Sequence, residues 1–134
     1  MKKVIVFGTF DIIHPGHLNL FRQAKRHGDH LMVVVARDDN VKRFKGIAPL
    51  HDEMKRVEKL KILRIANEIV LGDKRDKYKI IAEHKPDVVC IGYDQYYNEE
   101  ELKAAIDENE LKTKIVKLDR YKDHRYKSSK LKGQ

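Results

Sequence analysis

Short apolar runs alternate along this chain with longer segments in which apolar and polar positions are mixed. The first run, over residues 4–7, is continuous, which is typical of a strand buried on both faces of a parallel sheet. Together the runs predict five strands, over residues 4–7, 30–36, 68–71, 87–91 and 113–118.

The segments between the runs carry apolar residues three or four positions apart, which is the spacing of a helix with one buried face. In the first segment Pro15 suits the opening turn, and Gly28 is predicted to stop the helix at its C′ position. Residues 37–50 are predicted to form a polar loop or a short helix, and further helices are predicted over residues 52–66, 77–84 and 99–108. This alternation predicts an α/β fold, a doubly wound (Rossmann-like) five-stranded parallel sheet with helices on both faces, in a single domain over residues 1–134.

The loop between the first strand and the first helix has the sequence GTFDIIHPGH over residues 8–17. Gly8 ends the strand and allows the backbone to turn or to approach a ligand closely. The free N–H groups and the positive dipole end of the helix that follows attract phosphate. His14 and His17 flank the helix start, so both imidazoles can point at the same phosphate oxygens. This loop is therefore predicted to hold a phosphate.

Two other interpretations of the histidines are open. His17 lies on the apolar stripe of the helix, where a buried histidine often serves packing alone. A zinc site is the second, but the spacing differs from the i, i+4 histidine pair of zinc proteases, and Cys90 is far away in the sequence. The complete block, directly after a strand, favours phosphate over both.

The block Gly-Thr-Phe-Asp followed by His-Pro-Gly-His resembles the signature of the cytidylyltransferase-like nucleotidyltransferases, relatives of the class I aminoacyl-tRNA synthetases. The resemblance implies nucleotidyl transfer, with His14 and His17 as catalytic residues. It also implies that the nucleotide is bound by Gly8, Thr9, Phe10, Asp11, His14, Gly16 and His17.

Cationic residues further along match the positions of phosphate-binding residues in that family. Lys42 and Lys45 stand at or beside its phosphate-contacting lysines, and an ammonium on a flexible stem suits a triphosphate. Without the resemblance they would be scattered charges on an exposed loop. Arg56 resembles the family's arginine, whose fork of donors can bind substrate phosphate bidentately. The alternative interpretation is that Arg56 is an ordinary arginine on the surface of a helix.

The segment after the fourth strand bears on the choice of substrate. Gly92 would allow close backbone contact with the nucleotide, and Asp94 is placed to orient a ribose hydroxyl or a magnesium-bound water. Gly-Tyr-Asp-Gln over residues 92–95 resembles the archaeal-type FAD synthases, which adenylylate FMN, whereas glycerol-3-phosphate cytidylyltransferases tend to have Gly-Asp-Asp-Trp. FMN needs an apolar or aromatic slot for its ring, and the candidates by position are Phe10, Tyr93, Tyr96 and Tyr97. Each of these could equally pack in the core or lie on the surface.

The C-terminal segment supports the superfamily but departs from its pattern. Ser128 and Ser129 are predicted to begin a last helix, where hydroxyls and free N–H groups bind phosphate. The cytidylyltransferases carry Arg-Thr-Glu-Gly-Ile-Ser-Thr-Thr here, but this chain has Lys122 at the arginine position and Lys127 at the first serine. The departure argues against cytidylyl transfer more than against nucleotidyl transfer itself.

Most of the net charge of +8 lies in one segment, because residues 112–134 hold nine Lys/Arg and two Asp, a net of +7. Such a segment suits a non-catalytic nucleic-acid-binding module, or it can close over an anionic small molecule. Its aromatic residues, Tyr121 and Tyr126, are too few for a base-stacking surface, and no RNA-binding motif accompanies them. We therefore expect no nucleic-acid partner.

The chain has one cysteine, no apolar run of membrane-spanning length and no signal-peptide profile at its start. These features predict a cytoplasmic protein with no membrane partner. With the resemblance added, we expect a homodimer that uses a divalent metal ion, most simply Mg²⁺, to transfer AMP from ATP to FMN. The alternative is transfer of CMP from CTP to glycerol 3-phosphate.

Overall fold

The structure is a computed structural model that describes residues 1–92 and 97–118. Its strands and helices are, in chain order, β1 (Lys3–Gly8), α1 (Pro15–Lys25), β2 (His30–Val35), α2 (Asp38–Lys45), α3 (Glu53–Leu63), β3 (Glu68–Leu71), α4 (Lys79–His84), β4 (Val88–Ile91), α5 (Glu99–Glu108) and β5 (Lys114–Lys117).

The strands form one parallel sheet in the order β3-β2-β1-β4-β5. From β1 the chain builds outward through β2 and β3, and then crosses to the other side of β1 to add β4 and β5. The predicted doubly wound, five-stranded parallel sheet is confirmed. The strand order reverses between β1 and β4, and sheets of this kind bind ligands in the crevice beyond the carboxyl ends of the strands at such a point.

Side chains on the two faces of the sheet belong to two separate hydrophobic clusters. Along β1, Val4 and Val6 pack with residues of α1 and α3, whereas Ile5 and Phe7 pack with residues of α4 and α5. Helices therefore cover both faces, as predicted. Burial on both faces explains why the inner strands read as continuous apolar runs.

Helix ends depend on backbone conformations that the apolar spacing does not reveal. α3 ends at Leu63 because Arg64 adopts a left-handed conformation with a φ of 53°. Residues 37–50 contain the short helix α2, which Gly46 ends with a φ of 85°. Within residues 1–92 and 97–118, no helix has the length and apolar character needed to cross a membrane.

The prediction that Gly28 stops α1 was wrong. α1 ends at Lys25, and Arg26 caps it in a right-handed helical conformation. Gly28 instead lies where two segments of the chain meet, since an added Cβ would be 2.6 Å from the carbonyl oxygen of Lys2 and 2.6 Å from Cγ2 of Val4. Packing against the start of β1, and not helix termination, therefore requires glycine here.

Gly28→Ala is expected to lower the free energy of unfolding by about 1–3 kcal/mol, because the added methyl group overlaps the backbone at Lys2. Urea denaturation followed by circular dichroism measures the change. Arg26→Ala, at an exposed position nearby, is the control and should stay within about 0.5 kcal/mol of wild type. A Gly28→Ala protein as stable as wild type would contradict the expected steric conflict.

Candidate active site

A cavity of about 440 Å³ opens at the carboxyl edge of the sheet, where β1 and β4 end. Its wall combines residues from three separate segments of the chain. The predicted site residues in that wall are Gly8, Thr9, Phe10, Asp11, His17, Lys45 and Gly92. The structure thus brings together most of the strand-end residues that the motif and the family resemblance singled out.

His14 and His17 together cap α1. His14 precedes the helix with an extended backbone, and its Nδ1 accepts a hydrogen bond from the Gly16 N–H at 3.0 Å. In return, the His14 N–H donates to Nδ1 of His17 at 3.3 Å. Histidines thereby take the positions that serine or threonine and glutamate or glutamine take in a capping box. The two rings stack with their centroids 4.0 Å apart, at the N-terminus of the helix.

The capping hydrogen bonds also determine where the imidazole protons lie. Both bonds use the lone pair of Nδ1, so the neutral form of each ring carries its proton on Nε2. Burial, together with the neighbouring His14, lowers the pKa of His17 from 6.5 to about 4. His17 is therefore neutral at pH 7 and supplies an Nε2–H donor. A fixed donor of this kind stabilises negative charge that develops on a phosphate oxygen.

Phe10 holds His17 in place from an unusual backbone conformation. Its φ is 53°, in the left-handed region that residues other than glycine seldom adopt. Its buried ring meets the His17 ring edge-on, with the centroids 5.4 Å apart. A Cβ added at Gly8 would lie 2.4 Å from Cζ of Phe10. Gly8 is thus needed to admit the Phe10 ring, and the ring in turn fixes the position of His17.

Two residues predicted for a flavin slot belong to the core instead. The Phe10 ring also packs against Phe21, with the centroids 5.2 Å apart, and the Tyr97 ring stacks on Phe7 at 4.9 Å. Both side chains are buried, and although Phe10 borders the cavity, neither ring exposes a face on which a flavin could stack. The structure therefore favours the alternative of core packing for these two residues, because an aromatic side chain near a strand end can fill the core as readily as it can line a pocket.

Arg56 does not lie where a contact with substrate phosphate requires. Its side chain is fully buried. Its guanidinium donates from Nη1 to the Thr9 carbonyl at 2.8 Å, from Nε to the His51 carbonyl at 3.0 Å, and from Nη2 to Oδ1 of Asp38 at 2.7 Å. Protein oxygens therefore occupy the fork of donors that was expected to bind substrate. The predicted phosphate contact was wrong, and Arg56 is a positioning residue for the loop that carries Thr9.

Further charged residues extend this network along the edge of the sheet. Asp38 and Glu53 each accept the other's backbone N–H, and the two bonds are 3.1 and 2.9 Å long. Arg37 donates to Glu53 at 3.0 Å and to the Gly72 carbonyl at 2.8 Å. The ends of β1, β2 and β3 are thereby tied to the start of α3. Sequence reasoning missed this network, although opposite charges at Arg37, Asp38, Glu53 and Arg56 were its signal.

Asp11 fastens the segment before α3 to the cavity wall. Its carboxylate oxygens accept the backbone N–H groups of Leu50 and His51, at 2.7 and 2.8 Å. Burial opposes ionisation of this carboxyl, but the two amide hydrogen bonds outweigh it and hold the pKa of Asp11 below its usual value. Its contact with the nucleotide stays a prediction, and each oxygen already has one protein partner.

The remaining predicted residues differ in their relation to the cavity. Lys45 lines it from the last turn of α2, whereas Lys42 is exposed on the same helix and is not part of the wall. Gly16 is buried in the first turn of α1. A Cβ at Gly92 would lie 2.7 Å from Cδ1 of Leu20. The predicted residues outside the described part of the chain are Tyr93, Asp94, Tyr96, Lys122, Lys127, Ser128 and Ser129.

The described residues do not supply a protein cage for a metal ion. Over residues 1–92 and 97–118, no group of three His, Cys, Asp or Glu side chains is arranged to hold one. Asp11, on the cavity wall, is engaged by two amides, and Lys45 brings a positive charge to the same wall. A resident Mg²⁺ ion therefore does not fit this part of the site.

Comparison with known proteins identifies the family. The family model described as cytidylyltransferase-like matches residues 5–134. This chain therefore belongs to the cytidylyltransferase-like family, as the motif predicted.

Relatives of known name include archaeal FAD synthases. The chain is 44% identical to the FAD synthase of Ferroglobus placidus over 119 residues, which are 88% of this chain and 76% of that protein. It is 39% identical to the FAD synthase of Archaeoglobus profundus over 129 residues, which are 96% of this chain and 82% of that protein. The predicted likeness to the archaeal-type FAD synthases is confirmed.

Solved structures share the fold. The lipopolysaccharide core biosynthesis protein from Thermoplasma volcanium has a TM-score of 0.83 and 38% identity, over 91% of this chain and 99% of that one. Pantoate-beta-alanine ligase from Francisella tularensis has a TM-score of 0.63 and 16% identity, over 91% of this chain and 60% of that one. At 16% identity the second comparison shows likeness of fold alone.

Arg56→Met is expected to lower the free energy of unfolding by about 3–5 kcal/mol, because it leaves Asp38 and two carbonyls without their donor. Arg56→Lys keeps the charge but not the three-way fork, and it should lose about 1–3 kcal/mol. Urea denaturation measures both changes, and Lys55→Met at the exposed neighbouring position should stay within about 0.5 kcal/mol of wild type. Wild-type stability of Arg56→Met, combined with weakened ATP binding, would reinstate the phosphate contact.

Acid is expected to destabilise the folded protein through His17, whose pKa is about 4 when folded and 6.5 in the unfolded chain. Between these pH values the unfolded chain binds the additional proton. The free energy of unfolding should therefore fall as the pH falls, by up to about 1.4 kcal/mol per pH unit from this group, and its contribution is complete above the unfolded pKa. Urea denaturation across this range should give His17→Gln a shallower pH dependence than wild type, and equal slopes would contradict the assignment.

Proposed function

We propose that this protein is an FMN adenylyltransferase, which transfers AMP from ATP to FMN and forms FAD and pyrophosphate. The observation that carries the proposal is the histidine pair that caps α1 beside the cavity. The pair presents Nε2–H donors at the positive end of the helix dipole, and both features suit a phosphate. The relatives named FAD synthase support ATP and FMN as the two substrates.

The reaction needs no nucleophile from the protein. A phosphate oxygen of FMN attacks the α-phosphorus of ATP, and a new P–O bond forms as the bond to the bridging oxygen breaks. The electron pair of the broken bond leaves with pyrophosphate. A phosphate monoester dianion is already an adequate nucleophile once it is aligned, so the protein contributes positioning and charge stabilisation.

His17 and Lys45 line the cavity, and they share this work with residues outside its wall. His14 and His17 donate from Nε2 to the α-phosphate and the bridging oxygen as negative charge develops there. Lys45 neutralises phosphate charge from the wall of the cavity, and Lys42 reaches the β- and γ-phosphates along its flexible stem. The proposal also gives a role in phosphate binding to Ser128 and Ser129, which lie outside the described residues. Arg56 does not contact the substrate but acts as a positioning residue, because it fixes the loop that precedes His14.

The divalent ion enters with the nucleotide as part of the substrate. The phosphate oxygens of ATP are hard ligands that suit Mg²⁺, and this ion usually keeps several waters when it is bound through phosphates. The proposal therefore asks for MgATP and for no preformed metal cage. A homodimer in the cytoplasm, the arrangement expected from the resemblance and the sequence, belongs to the same proposal.

Incubation with FMN and MgATP should yield FAD and pyrophosphate, which chromatography separates. His17→Ala should lower turnover by about 100-fold or more, because one preorganised donor to the developing charge contributes two to three orders of magnitude. Far-UV circular dichroism checks that the fold is intact. Ile62→Ala, on the exposed surface of α3, is the control and should keep wild-type turnover.

Other results would contradict the proposal. Near-normal turnover of His17→Ala would remove the histidine from the reaction. Product from CTP and glycerol 3-phosphate, with none from ATP and FMN, would assign the cytidylyl transfer instead. RNA binding that disappears when residues 120–134 are deleted, in a protein without transferase activity, would favour a nucleic-acid-binding module.

A further inference from the structure

We propose that Tyr78 is a positioning residue for the nucleotide, an inference that rests on the proposed FMN adenylyltransferase activity. Tyr78 is buried and does not line the 440 Å³ cavity. Its ring meets the Phe7 ring edge-on, with the centroids 6.1 Å apart, and Phe7 is part of the cavity wall. Tyr78 therefore acts on the site through its neighbours, without touching the substrate.

The side chain of Tyr78 serves a different helix from the one that it begins. Tyr78 is the N-cap residue of α4, but its side chain makes no capping hydrogen bond there. Its hydroxyl oxygen instead accepts the backbone N–H of Asn98, the N-cap residue of α5, at 3.0 Å. Serine, threonine, aspartate and asparagine are the usual N-cap residues. A tyrosine at this position thus leaves α4 without a side-chain cap and fixes the start of α5.

The ion pair of Lys77 and Glu101 reinforces this attachment. Lys77 Nζ is 3.1 Å from Oε1 of Glu101, and Oη of Tyr78 is 3.4 Å from the same carboxylate oxygen. Lys77 Nζ also lies over the rings of Tyr78 and Tyr97, 5.3 and 5.9 Å from their centroids. Both rings are buried, which strengthens their attraction for a cation. The start of α5 is therefore held to Tyr78 by a hydrogen bond and by a shared cation.

Tyr97 transmits this attachment to the cavity. It directly precedes Asn98, and its ring stacks on Phe7 with the centroids 4.9 Å apart. Phe7 lines the cavity together with Gly92. Tyr78, Tyr97 and Gly92 also border one small internal void. The hydroxyl of Tyr78 thus fixes the packing that supports the cavity wall at Phe7 and Gly92.

This part of the wall is where the nucleotide is expected. The strand order reverses between β1 and β4, and sheets of this kind bind nucleotides beyond the strand ends at such a point. Phe7, on β1, and Gly92, directly after β4, line the cavity from the two sides of that point. A displaced Phe7 would disturb the nucleotide site but would remove no group that takes part in the reaction. Binding of ATP should therefore weaken more than the turnover of the bound complex.

The test removes one hydroxyl at Tyr78 and another at a distant control position. Tyr78→Phe removes the acceptor of the Asn98 N–H. Thr113→Val removes the 2.7 Å hydrogen bond from the Thr113 hydroxyl to the Pro86 carbonyl, just before β5 and β4 begin, at the opposite edge of the sheet. Each variant should lose a little stability in urea denaturation.

Only the Tyr78 variant should alter the binding of the nucleotide. Tyr78→Phe should raise the Kd for MgATP, measured without FMN by isothermal titration calorimetry, and the KM for MgATP by about fivefold. Its kcat and its KM for FMN should stay within about twofold of wild type, as expected when binding is lost without loss of transition-state stabilisation in the bound complex. Thr113→Val should keep the wild-type values of all four constants.

Tyr97→Leu is a second variant that tests the path to the cavity. It should also weaken MgATP binding, and the Tyr78→Phe/Tyr97→Leu double variant should weaken it by less than the product of the two single effects, because both act through Phe7. A double effect equal to that product would overturn the path through Tyr97.

Other outcomes would overturn the role of Tyr78 itself. These are unchanged MgATP binding in Tyr78→Phe, an equal loss of binding in Thr113→Val, and a larger effect on FMN than on ATP. A wild-type protein that forms no FAD would refute the proposed activity. Weaker MgATP binding by Tyr78→Phe in such a protein would still support the positioning role.

Discussion

The buried guanidinium of Arg56 is the interaction on which the edge of the sheet depends. A charge without access to water is stable only when oxygens surround it, and here they come from the end of β1, the segment after β2 and the residue before the cap of α3. Moving any one of these segments would leave part of the guanidinium without its hydrogen-bond acceptor, and moving Asp38 would also remove its counter-charge. The loop that carries the histidine pair therefore starts from a fixed backbone, although it makes no regular secondary structure of its own.

The sheet could be predicted almost completely, because strands that are buried on both faces consist of consecutive apolar residues. The predicted bounds of residues 99–108 match α5, but the ends of α1 and α3 could not be predicted. The sequence suggested that Gly28 stops a helix. In the structure glycine is required there because a side chain would collide with Lys2 and Val4, which are far away in the chain. Arg64 ends α3 in a left-handed conformation, which could not be predicted from an arginine at this position. A close approach between distant segments has no periodic signature, so sequence patterns miss it.

The candidate site was predictable where one loop contains it and unpredictable where the fold assembles it. His14, His17 and Gly8 act within a few residues of one another, and the motif therefore located them. Arg56 shows the opposite case. Its donor geometry suits a phosphate, but the turn of α3 directs it into the protein, and residue type does not specify direction.

The cap of α1 has one further consequence. In most helices the cap and the reactive groups are different residues, so each can change independently of the other. Here the lone pairs that accept the capping amide protons of the helix belong to the same rings that are proposed to donate to the phosphate. A proton added at Nδ1 of His17 would abolish its capping bond at the same moment as it changed the charge of the site. Helix integrity and chemical competence thus respond to acid as one property.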